Sequence, residues 1–403
     1  MNGSLRGTRC LVVALACWSL LGEVHAAERF VWFGTYTNDR TKSEGVYVSR
    51  FDDRTGSLGP PRLAAATRNP SFLALHPRLP IVCAISEESD VDGKPRGTLT
   101  AFSVDAATGT LRTRDAESCG GGVGCHVNFD RDGKVVLAAN YGDGTAICLG
   151  LDADGGLRPI VTGTPGGLMR HAWDRAGEPG VDPGRQERAH AHSIDVAPDG
   201  RFAFVCDLGL DEVFVHALDR ERATLAPHSA AKVKAGAGPR HFALHPDGRR
   251  AWCVNELDLT VTGFTYDPAA GTLAIGETIS TLPADVVDRK GFSTAEIAVH
   301  PTGKFLYASN RGHHSIAMYA IDQATGRLTF LGVEPIRGKT PRSFAIDPTG
   351  TFLLAAGQES NTVTVFTIDR ATGRLAFTGT TIEVPAPVCV LFGREAGGGG
   401  APR

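Results

Sequence analysis

The chain is short of most of the residues and motifs that announce a function. Its 403 residues hold only three methionines, four tryptophans and six tyrosines. A protein-docking face should be richer in all three. Lysine plus arginine (41) nearly balance aspartate plus glutamate (44), and no basic stripe is present. Nucleic acid is therefore not an expected partner. There is no Cys-x-x-Cys pair, which argues against structural zinc. No Gly-x-Ser-x-Gly elbow offers an acyl-enzyme route. No Gly-x-Gly-x-x-Gly joins a strand to a helix, so no dinucleotide is expected.

The N-terminal apolar run Cys10–Leu21 has 12 residues, against the ~20 that a spanning helix needs. Arg6 and Arg9 precede it, and Val24-His25-Ala26 offers small residues at a cleavage site. Residues 1–26 are thus expected to be a secretory signal, with the mature protein periplasmic or secreted and free of the membrane. A lipoprotein site at Cys17 is a poorer fit, because Ala14-Leu15-Ala16 precedes it. Of nine cysteines, seven would remain. Cys83, Cys206, Cys253 and Cys389 sit in apolar runs and read as core. Cys119 and Cys125 flank Gly-Gly-Gly-Val-Gly, and a disulfide there is conceivable in an oxidising compartment.

Glycine (49) and proline (23) are abundant, and they punctuate a repeat. FDDRTGSL, VDAATGTL, LDADGGL, LDRERATL, YDPAAGTL, IDQATGRL and IDRATGRL end at Leu58, Leu111, Leu157, Leu225, Leu273, Leu328 and Leu375. Each is turn chemistry between alternating apolar runs, hence a hairpin. A second element, as in PRHFALHPDGRRAWCVNEL, supplies two further strands around a Pro-x-Gly or Asp-x-Gly turn. A period near fifty with four strands per unit predicts an all-β, seven-bladed β-propeller of four-stranded antiparallel blades. The last blade is split: RFVWFGTYT, GVYVSRFD and TGSLGPPRLAA come from the N-terminal end, and PAPVCVLFG from the C-terminal end. Residues 27–393 make this one domain, and 394–403 a disordered tail.

Antiparallel connectivity places inner-strand starts and second-strand ends on one rim. Inner-strand starts supply His126, His190, His192, Arg240, His241, Glu296 and Arg342. Second-strand ends supply Glu87, Asn140, Asp207, Asn255, Glu256, Arg311 and Gln358. The opposite rim carries polar turns with no evident chemistry. The interval from Leu157 to Leu225 is the longest, and Gly163–Arg188 is expected to join a fourth strand to the next inner strand. Arg185 and Gln186, at its end, would lean over the channel.

Across Phe30–Phe392 the chain resembles the seven-bladed propeller lactonases, the family of cofactor-independent 6-phosphogluconolactonases. The likeness lies in GTYT (Gly34–Thr37), NPSFLALHP (Asn69–Pro77), Cys125-His126, ANY (Ala139–Tyr141) and Arg185-Gln186 with HAHS (His190–Ser193). It continues in DLGLD (Asp207–Asp211), GPRHF (Gly238–Phe242), NEL (Asn255–Leu257), AEI (Ala295–Ile297), SNRG (Ser309–Gly312) and TPRSFAIDPTG (Thr340–Gly350). The resemblance implies lactone ring opening, or closing as in the fungal muconate-lactonising members. Where the family usually has proline before the Cys-His pair and the His-x-His, this chain has Gly124 and Ala189.

Lactone hydrolysis needs a base for water and donors for the carbonyl oxygen. His126 or His241 is the expected base, with Glu296 or Asp207 orienting it. Arg185 and Arg240, with Arg342, are expected to hold substrate, alongside Gln186, His190, His192, Glu256 and Arg311. The partner is then a small-molecule lactone, sugar-derived or otherwise anionic. No cofactor is expected. His190, His192 and Asp207 could be imagined around a metal, but calcium prefers oxygen ligands and this rim is rich in His and Arg, so no metal is expected. The rival from another class is a non-enzymatic binding propeller.

Overall fold

A computed structural model describes residues 28–38, 40–88, 97–163, 165–172 and 180–395. The expected signal and residues 396–403 of the expected tail lie outside the described residues. All 28 strands fall into seven four-stranded antiparallel sheets, and no helix occurs among the described residues. Six blades follow chain order from inside to outside. Blade 3, for example, is Ala191–Val196, Phe202–Asp207, Glu212–Asp219 and Thr224–Lys232. The closing blade takes its inner strand, Pro387–Glu395, from the C-terminal end. Its other strands, Glu28–Thr35, Gly45–Asp52 and Arg62–Ala66, come from the N-terminal end. Val31 pairs with Phe392 and Phe33 with Val390. The closing blade thereby has four strands like the other six, and the ring is complete.

The repeated turn is local chemistry seen seven times. In most copies the Asp carboxylate accepts the backbone N–H groups two and three residues on, as Asp52, Asp105, Asp219, Asp267, Asp322 and Asp369 do. The turn glycine also has a packing role. Gly109 lies at φ 70°, and a Cβ there would come within 2.7 Å of Phe30 in the closing blade. Seven buried apolar clusters result, one between each neighbouring pair of blades. The opposite rim is more than solvated turns. His76, His245 and His300 each reach the next blade's turn carbonyl, at Gly133, Gly303 and Gly350, from 3.1, 3.0 and 2.8 Å.

Three expectations are corrected. The fourth strand of blade 2 is Leu168–Arg170, inside the stretch read as a connection. The chain first detours, so that Gly166 bridges Leu225 of blade 3 before it returns to its own sheet. Cys119 and Cys125 are not bonded to each other: both are buried, and the Cys119 thiol donates to the Gly121 carbonyl and that of Cys125 to the His192 carbonyl. The closing strand continues to Glu395, and the Arg394 guanidinium donates to the Arg78 and His76 carbonyls. Residues 394 and 395 therefore belong to the closing strand and not to the expected tail.

Candidate active site

One irregularity builds the site. In every blade the register between inner and second strands slips at the inner-strand start. The skipped residues are Ser71, Cys125, His192, Arg240, Arg342 and Val388, with Ala295 and Glu296 in blade 5. Such bulges re-aim side chains. Three of the skipped residues, Cys125, His192 and Arg342, share the lining of one cavity. The cavity at this rim measures about 310 Å³ and is lined by Glu87, Cys125, Tyr141, Arg185, His192, Glu256, Arg311 and Arg342.

Glu256 is the electrostatic hub. Its carboxylate accepts Arg185 Nη2 at 2.6 Å and Arg240 Nε at 2.8 Å, and Arg311 Nη2 lies 3.0 Å away. Burial opposes its charge, yet these three guanidinium groups hold its carboxyl well below the usual carboxylate range. Arg240 is fully buried, which lowers it to about 10, so it stays protonated at neutral pH. Arg342 stands 3.7 Å from Glu87, over the ring of Tyr36, whose hydroxyl donates to Glu87 at 2.7 Å.

Glu296 behaves differently. Burial raises its carboxyl to about 7, with Arg240 and His126 opposing. It keeps 12 % side-chain exposure and accepts His241 Nδ1–H at 2.7 Å and the Ile297 N–H at 3.1 Å. Arg240 Nη1 lies 3.0 Å from His241 Nε2. A guanidinium can only donate, so Nε2 accepts and the proton sits on Nδ1, facing Glu296. His126 Nδ1 accepts the Ile194 N–H at 3.3 Å, which leaves its proton on Nε2. His126, His192 and His241 all sit well below the ordinary histidine value, chiefly through burial and then through neighbouring cations and rings. They are neutral. Four arginines then face Glu87, Glu256 and a half-titrated Glu296, leaving positive charge in excess.

The structure brings His192, Glu256, Arg311, Arg342 and Arg185 together in the wall of this opening, and Arg240, His241, Glu296 and His126 join them through Arg240–Glu256, Arg240–His241 and His241–Glu296 contacts and the His126–His241 ring contact. Asp207 does not orient His126 or His241. Its carboxylate accepts His171 Nδ1 at 2.7 Å and the backbone N–H of His190 and Leu210, because it belongs to the turn that ends its strand. Gln186 is fully buried and donates to Leu208 O and Asp211 Oδ1, so it anchors the loop instead of meeting substrate. His190 donates from Nδ1 to the Tyr141 carbonyl at 2.7 Å and stacks on the Tyr141 ring, a positioning contact. Sequence reasoning named Tyr141 only within the ANY motif and assigned it no role; it directly follows the strand end at Asn140. Among the described residues no cluster of three or more His, Cys, Asp or Glu side chains could hold a metal.

Residues 30–392 match the family model described as lactonase, 7-bladed beta-propeller. The chain belongs to that lactonase family. It is similar to the 6-phosphogluconolactonase of Bacillus subtilis, 33 % identical over 364 residues that cover 90 % of this chain and 97 % of the relative. The 6-phosphogluconolactonase of Formosa agariphila is 32 % identical, covering 78 % and 85 %. Among solved structures, the periplasmic gluconolactonase of Pseudomonas aeruginosa superposes with a TM-score of 0.82 at 30 % identity, covering 91 % of this chain and 99 % of its own. The lactonase is thus an enzyme whose relatives open lactone rings. No helix among its described residues is long and apolar enough to cross a membrane.

Proposed function

We propose that this lactonase hydrolyses a sugar-derived or otherwise anionic lactone by Glu296-assisted attack of water. The observation that carries the reading is a Glu296 carboxyl raised to about 7 and joined through His241 and Arg240 to Glu256, in the wall of a 310 Å³ opening that Arg185, Arg311 and Arg342 also line. A general base works best when its pKa lies near the working pH. Both nitrogens of His241 are engaged, and His126 presents an N–H. The base role expected for a histidine therefore passes to Glu296, with His241 holding its carboxylate. Arg240 and Arg342 supply the positive field for the carbonyl oxygen as it gains charge. Arg185 and Arg311 serve the product carboxylate or an anionic substituent. The leader-like N-terminus and the periplasmic gluconolactonase neighbour favour an exported protein acting on an unphosphorylated aldonolactone.

The test is proton release by the mature protein on glucono-, galactono-, 6-phosphoglucono- and muconolactones, beside an Arg240→Ala variant. Turnover of at least one lactone, lost in the variant, is expected. No turnover of any, or equal turnover by both proteins, removes this opening from the mechanism.

A further inference from the structure

The base accounts for only half of a lactone hydrolysis. When the tetrahedral intermediate collapses, an alkoxide must leave, and an alkoxide needs a proton. His126, His192 and His241 are neutral and so are not poised to supply one as cations.

The geometry points to Tyr141 as the proton donor to the leaving ring oxygen, an inference that rests on the lactonase reading above. Tyr141 lines the cavity, and its ring is fixed on two sides. It stacks on His190 at 4.2 Å and 15°, and meets the edge of His192 at 5.5 Å. Arg185 donates to the phenol oxygen from both Nε and Nη2, each at 3.2 Å. Those two N–H groups occupy the oxygen's lone pairs. The phenolic hydrogen is the part left over, and among the described residues it donates to no protein acceptor. Burial raises the phenol above its ordinary value against the pull of Arg185, so the proton is present at neutral pH. The cation already in contact is placed to hold the phenolate once it has left. His192 stands between the two halves of the chemistry, its ring 5.5 Å from Tyr141 and 5.4 Å from His241, which carries Glu296.

The step balances. Water oxygen bonds to the carbonyl carbon while its proton goes to Glu296. The ring C–O bond then breaks, its electron pair goes to the ring oxygen, and that oxygen takes the Tyr141 proton. Phenolate and protonated Glu296 afterwards exchange a proton through solvent, which restores both. Nothing is oxidised or reduced.

A Tyr141→Phe variant tests this on two substrates: an aldonolactone, which expels an alkoxide, and dihydrocoumarin, which expels a stable phenolate needing no acid. On the aldonolactone kcat should fall about 10²-fold, the size of a lost general acid. On dihydrocoumarin the fall should be slight, with KM little changed for either. Equal loss on both substrates, or loss confined to KM, overturns the inference while the lactonase reading stands. Failure of the wild type to open any lactone overturns both. Should the variant melt early, the wild type decides alone: a shallow dependence of kcat on leaving-group pKa supports the assignment, and a steep one rejects it.

Discussion

Glu296→Gln should make the protein more stable and inactive at the same time. The carboxyl titrates at about 7 in the folded chain against an ordinary 4.5. Between those values the native state binds the extra proton, so its stability falls as pH rises through that window. Below about 4.5 the carboxyl is neutral folded and unfolded alike, and there the substitution changes little. Above 7 the wild type carries a buried charge that glutamine does not. At 1.36 kcal/mol per pKa unit the ceiling is roughly 3 kcal/mol, reduced by whatever relaxation admits water. Glutamine keeps a carbonyl oxygen for His241 Nδ1–H and the Ile297 N–H, so little packing is lost. Thermal unfolding at pH 5 and pH 8, beside proton release on an active lactone, checks it. The variant should melt several degrees above wild type at pH 8, near it at pH 5, and turn over nothing. A variant that melts lower at pH 8, or retains activity, refutes both the raised carboxyl and its role as base.

Other outcomes follow from the same geometry. For the wild type, kcat/KM should rise about tenfold per pH unit up to about 7 and then level, as the Glu296 base form fills. A pH profile flat from 5 to 8 contradicts it. Arg240→Lys retains a charge but cannot serve Glu256, Ala295 O and His241 together; kcat/KM should drop about 10²-fold or more, the scale of a lost oxyanion donor, with melting only modestly changed. Asp207→Asn, which weakens the His171 contact and not the Glu296 pair, should lower the melting temperature while leaving the kcat pH profile unshifted. Gly109→Ala places a Cβ against Phe30 at a left-handed backbone position and should cost about 1–3 kcal/mol in urea titration, with KM untouched. Prolonged dialysis against a chelator should leave turnover unchanged; loss restored by a divalent cation would reject the metal-free scheme.

Much of the architecture was legible because its causes are local. An Asp carboxylate caps backbone N–H groups two and three residues away, whatever lies elsewhere, so each Asp-x-x-Gly copy declares a hairpin. The split blade followed from counting strands, since one inner strand was missing at one end and present at the other. The rim bearing the polar residues followed from antiparallel connectivity. Less legible was anything set by a neighbour. The short outer strand Leu168–Arg170 was hidden because a detour toward Leu225 precedes it. Gln186 and Asp207 lie in the right region of the chain but turn to other partners, Gln186 to Leu208 O and Asp211 and Asp207 to His171 and two backbone N–H groups.

Residue order by itself determined seven blades, their closure and which end of the ring gathers the histidines, arginines and glutamates, because turn patterns and strand alternation act over a few positions. Only the folded ring decided which side chains meet. A slipped register at the inner-strand starts turns Cys125, His192 and Arg342 of three blades toward one cavity, and no hydropathy pattern encodes that slip. Burial raises the Glu296 carboxyl toward neutrality, while arginines supplied by other parts of the chain hold Glu256 charged. That contrast between two glutamates exists only after distant blades have been brought within hydrogen-bonding reach.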